Sequence, residues 1–258
     1  MTALANEKNQ TFVSKLPQIT AAFWMMKIAA TTLGETGGDW LSMTMKVGYL
    51  ASTLVFFGFF VVTLAVQLAS KKHYPYLYWM VIVATSTAGT TMSDYMDRTL
   101  ELGYAKGAAI LVSILLFLLV LWRLAVGNLS VDHVHTRKAE VFYWITILFS
   151  NTLGTAFGDF LSDDSGLGFF EAWLLISGAL VVALLCYRFT RLPHVLLFWI
   201  AFVLTRPFGA TFGDLLTKAH DKGGFDLGTG YSSIILFAIL LATIQFSYRK
   251  LPGQPHQR

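Results

Sequence analysis

The segment Thr31-Thr32-Leu33-Gly34-Glu35-Thr36-Gly37-Gly38-Asp39-Trp40-Leu41-Ser42 returns in altered form three more times, and this periodicity restricts the fold more than any other feature of the chain. The later copies run through Gly89 and Asp94, Gly154 and Asp159, and Gly209 and Asp214. Each has a Gly, an Asp five residues later, and Ser, Thr or Asp three residues beyond: Ser42, Asp97, Ser162 and Thr217. A Trp stands ten residues before every Gly, at Trp24, Trp79, Trp144 and Trp199, in a chain with only seven Trp. Such a register marks an internal repeat, so one supersecondary unit is used four times.

What kind of unit follows from the composition. The chain has 258 residues, 55% of them hydrophobic and 13% charged, with a mean hydropathy of +0.59; soluble domains carry roughly 25% charged residues. Apolar runs at 49–70, 108–126, 172–187 and 232–246 alternate with the motif segments, and a membrane-spanning helix needs about 20 residues. The sequence predicts an all-α polytopic membrane protein with eight transmembrane helices as four parallel two-helix repeats. The Asp positions are 55, 65 and 55 residues apart, which divides the chain into membrane halves at 16–126 and 139–248. A linker at 127–138 joins them, between an N-terminal tail at 1–15 and a C-terminal tail at 249–258.

Four motif helices should lie inside and four apolar helices around them, with the pseudosymmetry axis along the membrane normal. No cleaved signal peptide is expected, since residues 1–18 lack a compact apolar region. The single Cys186 excludes an intramolecular disulfide. The net charge of +4 reports topology rather than nucleic-acid binding.

Lys8, Lys15, Lys71, Lys72, Arg137, Lys138, Arg188, Arg191, Arg249, Lys250 and Arg258 fall on the side of the termini, and Lys46, Arg98, Lys106, Lys218 and Lys222 on the other. By the positive-inside rule both termini are cytoplasmic. Asp97, Glu101, Asp163 and Asp164 read as solvated loop charges at an acidic outer mouth.

Each motif helix places small and hydroxyl residues on one stripe that leads to its Asp. Glu35, Asp39, Asp94, Asp159 and Asp214 are the expected cation ligands. Lys27, Thr31, Thr36, Ser86, Thr90, Thr91, Asn151, Thr155, Arg206 and Thr211 are the expected substrate pathway. Within the motif helices the basic residues are Lys27 and Arg206, so five carboxylates face two cations. Ionised groups at membrane depth cost about 2.5–3.5 kcal/mol each on the insertion scale, and the excess of negative charge calls for protons or a bound cation. Carboxylates and hydroxyls suit hard cations. All six His fall in loops, ends or tails, including His133, His135 and His256, which argues against haem or a His-based zinc site. Blander roles exist for each residue: close helix packing for Gly, helix capping for Asp, interfacial anchoring for Trp and charge neutralisation for Lys27 and Arg206.

The run from Phe23 through Lys27, Gly34 and Glu35 to Asp39 resembles the opening of bacterial uncharacterised membrane-anchored proteins built from a membrane repeat of unknown function, and the resemblance continues through all four copies. It implies a bacterial inner-membrane location and tandem two-helix repeats. The copies are not equivalent: Ser93 replaces the Gly before Asp94, Ala156 replaces Thr, and Arg206-Pro207 replaces a pair such as Thr31-Thr32.

The leading expectation is a transporter of a divalent or trivalent hard cation such as manganese, magnesium, calcium or aluminium, exporting it in exchange for protons. Pro207 would weaken the seventh helix and permit movement. The expected partners are the bilayer, the cation, protons and a second copy of the chain, with no nucleic acid and no organic cofactor. A cation channel with an Asp ring and a non-transport assembly protein are the alternatives. An enzyme is disfavoured, because the membrane segments lack His, a reactive thiol and a nucleotide fingerprint.

Overall fold

The computed structural model describes residues 16–70, 72–131, 134 and 136–249. Lys8, Lys15, Lys71, His133, His135, Lys250, His256 and Arg258 lie outside them, as do the segment 1–15 and nearly all of the 249–258 tail. The described residues form eight long α-helices and no strand: α1 (Ala21–Asp39), α2 (Tyr49–Ala69), α3 (Pro75–Asp94), α4 (Tyr104–Val126), α5 (Arg137–Asp159), α6 (Phe169–Phe189), α7 (His194–Thr217) and α8 (Thr229–Arg249). The Thr20 hydroxyl caps α1 by accepting from the Phe23 N–H at 3.3 Å. Thr136 caps α5 through the Ala139 N–H at 3.1 Å, which starts that helix at Arg137, inside the stretch expected to be linker. α3 opens on Pro75, where the missing N–H costs nothing.

Each motif Gly is where the next odd-numbered helix passes, and these contacts fix the arrangement. A Cβ at Gly34 would overlap the Ser86 Cβ, and one at Gly154 would overlap the Arg206 stem. A Cβ at Gly89 would lie 3.0 Å from the Asn151 Cβ, and one at Gly209 2.8 Å from the Thr31 Cβ. Ser86, Asn151, Arg206 and Thr31 each stand three residues before their own motif Gly. The same handover therefore runs from α1 to α3, α5, α7 and back to α1. A turn later, Gly38 meets Thr90, Gly158 meets Ala210 and Gly213 meets Glu35. Because the contact register advances in the same direction on both partners, the four odd helices are parallel. They form a closed ring, and α3 packs on α5 as α1 packs on α3, so the long 127–138 segment leaves no break in it.

Outside the ring, α2 packs on α3, α4 on α5, α6 on α7 and α8 on α1. Each even helix thus leans on the motif helix of the following repeat, and α8 closes the circle. Their outward faces are apolar, with Leu54, Leu124, Leu184 and Ile234 exposed. Six helices are long and apolar enough to cross a membrane. The exceptions are α1, which carries Lys27, Glu35 and Asp39, and α3, which carries Thr85, Ser86, Thr87, Thr90, Thr91 and Ser93. All of these polar side chains are buried.

Two further features recur in every repeat. An aromatic precedes each Trp, giving Phe23-Trp24, Tyr78-Trp79, Tyr143-Trp144 and Phe198-Trp199. These pairs interlock around the N-terminal end of the ring. Phe23 meets Trp79, Tyr78 meets Trp144 and Phe198 meets Trp24, at ring-centroid separations of 5.6, 5.5 and 6.0 Å. Trp79, Trp144 and Trp199 are buried and serve as core rather than as surface anchors.

The turn after each motif helix places a residue with positive φ two positions before a Gly that also has positive φ: Lys46 and Gly48, Glu101 and Gly103, Gly166 and Gly168, Asp226 and Gly228. In the first three repeats this Gly follows the motif Asp by nine residues, and in the fourth by fourteen. The shorter connections pass through a π-helical turn (Trp40–Thr44, Tyr95–Thr99 and Phe160–Asp164), whereas α7 ends at Thr217 and its longer loop begins at Lys218.

Candidate functional site

The polar stripe resolves into strata along the ring, spaced four residues apart. Seven residues before the motif Gly stand Lys27, Ile82, Ile147 and Phe202, all fully buried. Lys27 Nζ lies 3.9 Å from the Phe202 ring centroid and has no hydrogen-bond partner among the described residues. A fully buried amine with an aromatic face but no hydrogen-bond acceptor beside it is costly, and an apolar side chain of similar volume avoids that cost. Lys27→Met is therefore expected to raise stability by about 1 kcal/mol or more. Thermal unfolding of the purified protein checks this; a lowered midpoint would mean that the ammonium has compensation.

The next stratum holds Thr31, Ser86, Asn151 and Arg206. Thr31, Ser86 and Asn151 tie neighbouring helices together. The Thr31 hydroxyl is 3.3 Å from the Thr205 carbonyl, and Asn151 Nδ2 donates to Thr85 Oγ1 at 2.9 Å and to Ser86 Oγ at 3.4 Å. Arg206 behaves differently. Its stem crosses Gly154, and its Nη2 reaches the centre of the ring, where one side chain arrives from each of the other three helices. Three acceptors surround the two N–H groups of Nη2: Glu35 Oε2 at 2.9 Å, Thr90 Oγ1 at 2.5 Å and Thr155 Oγ1 at 2.6 Å. Thr90 and Thr155 in turn lie 3.3 and 3.4 Å from the same Glu35 oxygen. Glu35, Thr90, Thr155 and Ala210 occupy the same register position, one residue after the motif Gly. The sequence-predicted residues Glu35, Arg206, Thr90 and Thr155 are thus one cluster.

The four Asp form the stratum above, and all are buried. They divide into two pairs, each held by a basic residue one turn beyond its own Asp. Lys218 Nζ is 3.0 Å from Asp214 and 3.2 Å from Asp39. Arg98 Nε is 3.1 Å from Asp94, and its Nη2 is 3.5 Å from Asp159. In both cases the basic residue joins its own Asp to the Asp of the next helix around the ring. By sequence Lys218 and Arg98 count only among the basic residues on the side away from the termini; in the fold they turn back onto the carboxylates, and the balance becomes five acids against Lys27, Arg206, Arg98 and Lys218. Burial disfavours the Lys218 ammonium, but Asp214 and Asp39 more than offset this and hold its pKa well above the ordinary lysine value.

Glu35, Asp39 and Asp214 each offer a carboxylate oxygen such that the three lie within 4.8 Å of one another. Among the described residues this is the group of acids close enough to share a cation. Asp94 and Asp159 stand in the same stratum, but their lower neighbours are Thr90 and Thr155 where the first pair has Glu35. The remaining expected pathway residues make their described hydrogen bonds outside this cluster. Thr36 accepts from Ser233 of α8 at 2.8 Å, whereas Thr91 and Thr211 donate to carbonyls of their own helices. Asp97, expected to be solvated, is buried beside Ser93, whose hydroxyl is 3.2 Å away. Its carboxylate covers Gly107, where a Cβ would collide with it.

The hydroxyls three residues after Asp39, Asp159 and Asp214 also have a local role. Ser42, Ser162 and Thr217 donate to the carbonyls of Gly38, Gly158 and Gly213 at 2.8, 3.0 and 2.9 Å. α7 runs through Pro207 without interruption, although Pro207 can offer no N–H to the Val203 carbonyl.

A family described as Repeat of Unknown Function (DUF347) matches the chain four times, at residues 22–73, 77–127, 142–192 and 197–250. Each match contains one ring helix and the outer helix that follows it. Neither the curated proteins nor the solved structures yield a match. With four tandem copies of this repeat across residues 22–250, the chain belongs to the DUF347 family.

Proposed function

We propose that the protein is a membrane carrier for a hard metal cation, exchanged for protons, with both termini on the cytoplasmic side of a bacterial inner membrane. The observation that carries the reading is the group formed by Glu35, Asp39 and Asp214: three buried carboxylates with oxygens within 4.8 Å of one another. Three such acids repel one another, and Arg206 and Lys218 supply two positive charges against the three, which leaves one negative charge for a proton or a metal ion to offset. An all-oxygen set matches the preference of magnesium, manganese or calcium. Protons and a metal ion compete for the same oxygens, and this competition is the physical basis of exchange.

The apolar outward faces of α2, α4, α6 and α8 suit lipid, and the polar stripes are enclosed where hydrocarbon cannot reach them. In this reading α1 and α3 are also membrane spans, shielded by their neighbours, which gives eight in all. A carrier is favoured over an open channel because the Arg206–Glu35 pair at 2.9 Å crosses the centre of the ring. The pair must part, or the helices must shift, before an ion passes.

Reconstitution into liposomes tests the reading. Manganese entering vesicles that contain a metal-sensitive dye is expected to drive protons in the opposite direction, and Asp214→Asn is expected to abolish both signals. Absence of cation-dependent flux for manganese, magnesium and calcium from correctly folded protein would overturn it.

A further inference from the structure

The two Asp pairs look alike in sequence but differ in what holds them. Arg98 is fixed from several sides. Besides Asp94 and Asp159, its Nη1 donates to the Tyr49 hydroxyl at 3.3 Å, and its guanidinium lies 5.8 and 5.6 Å from the Tyr49 and Tyr104 rings. The backbone of Lys218 is bonded to the Asp214 carbonyl and the Asp226 N–H, but its Nζ has only the two carboxylates among the described polar groups, at 3.0 and 3.2 Å. Its backbone is extended, immediately past the end of α7. Accessibility does not separate the two, at 21% for Lys218 and 29% for Arg98; what differs is that Lys218 hangs on a flexible four-carbon stem with no aromatic ring packed on its charge among the described residues. The same pair has Glu35 as a third carboxylate. The lysine therefore stands where three carboxylates, Glu35 among them although it is also paired with Arg206, come within 4.8 Å of one another, and the guanidinium stands where no such group of three forms among the described residues.

We propose that Lys218 is a tethered counter-cation that holds the Asp39–Asp214 site and is displaced from it by the incoming metal ion, whereas Arg98 is a permanent strap between Asp94 and Asp159. This rests on the carboxylate reading of the site. The ammonium is a positive point charge at hydrogen-bonding distance from two prospective ligands, in the position a bridging cation would take. A divalent ion and an ammonium a few ångströms apart repel each other strongly in a poorly screened environment, so they cannot share the two carboxylates. Displacement is by movement: the stem swings toward the C-terminal rim while the charge stays on the nitrogen. In the absence of metal the tether compensates the two buried acids. During transport it sets a threshold that a weakly held monovalent ion fails to cross, which makes Lys218 a determinant of selectivity.

Two measurements on the purified full chain test this. Calorimetric titration with manganese is expected to show binding to the wild type and binding at least about tenfold tighter to Lys218→Met, since a competing charge has been removed; Arg98→Met gains no affinity. In the wild type, modification of Lys218 by a small amine-reactive reagent, read by mass spectrometry, is expected to rise severalfold when manganese is added, while Lys46 and Lys222 are unchanged. The labelling needs no substitution and stands even if Lys218→Met fails to fold. Wild-type binding with no increase in Lys218 labelling, or with affinity unchanged or lowered in folded Lys218→Met, overturns the proposal and leaves the carboxylate site intact. Absence of binding to both folded proteins overturns the site and the tether together.

Discussion

Arg206→Met is expected to destabilise the protein by about 3–5 kcal/mol, the usual result of removing one partner from a buried ion pair. The cost arises on the other side of the ring. Glu35 stays buried, and Thr90 and Thr155 lose the donor that organises them with it. The double variant Arg206→Met/Glu35→Gln is expected to recover a large part of that loss, because no uncompensated charge remains. Thermal unfolding of the two variants and of Glu35→Gln alone, arranged as a double-mutant cycle, measures the coupling. Additive losses would mean that the two groups do not sense each other, and the central cluster would have to be abandoned.

The second large effect concerns the close approach of the ring helices. Gly34→Ala is expected to cost about 1–3 kcal/mol through overpacking, since its new methyl would overlap the Ser86 Cβ and crowd the Ser86 backbone at 3.0–3.1 Å. A flexible neighbour could move aside, but the backbone of α3 cannot do so without shifting the helix. Gly58 supplies the control. It lies within α2, a Cβ there meets nothing within 4 Å, and Gly58→Ala is expected to be neutral or stabilising by about 0.5–1 kcal/mol. Unfolding midpoints for the two variants test this contrast directly. Equal effects would indicate that the motif glycines are not packing points.

The repeat, its helical units and the inner position of the motif helices were legible because the Trp, Gly and Asp register survives in all four copies. The interlocking aromatics also have a sequence signal, in the pairs Phe23-Trp24, Tyr78-Trp79, Tyr143-Trp144 and Phe198-Trp199, which the Trp register alone does not contain. The positive-φ turns also carried a sequence signal in Val47-Gly48, Leu102-Gly103, Leu167-Gly168 and Leu227-Gly228.

The pairing of the four Asp was not legible. It depends on the residue four positions after each Asp, which is Met43, Arg98, Asp163 or Lys218. It depends as well on local backbone geometry that brings two of these back over the ring: a π-helical turn at Arg98 and an extended residue at Lys218. Periodicity at 3.6 residues describes neither conformation. The meeting of Arg206 with Glu35 was likewise hidden, since it joins the last repeat to the first across 171 residues and requires the ring to close.

Manganese titration of the purified wild type, Asp39→Asn/Asp214→Asn and Asp94→Asn/Asp159→Asn tests the assignment of the cation site most directly. Saturable binding that survives in the second double variant and disappears in the first is the result expected from a site built on Glu35, Asp39 and Asp214. Equal loss in both variants, loss in the second alone, or no binding by folded wild-type protein would contradict it.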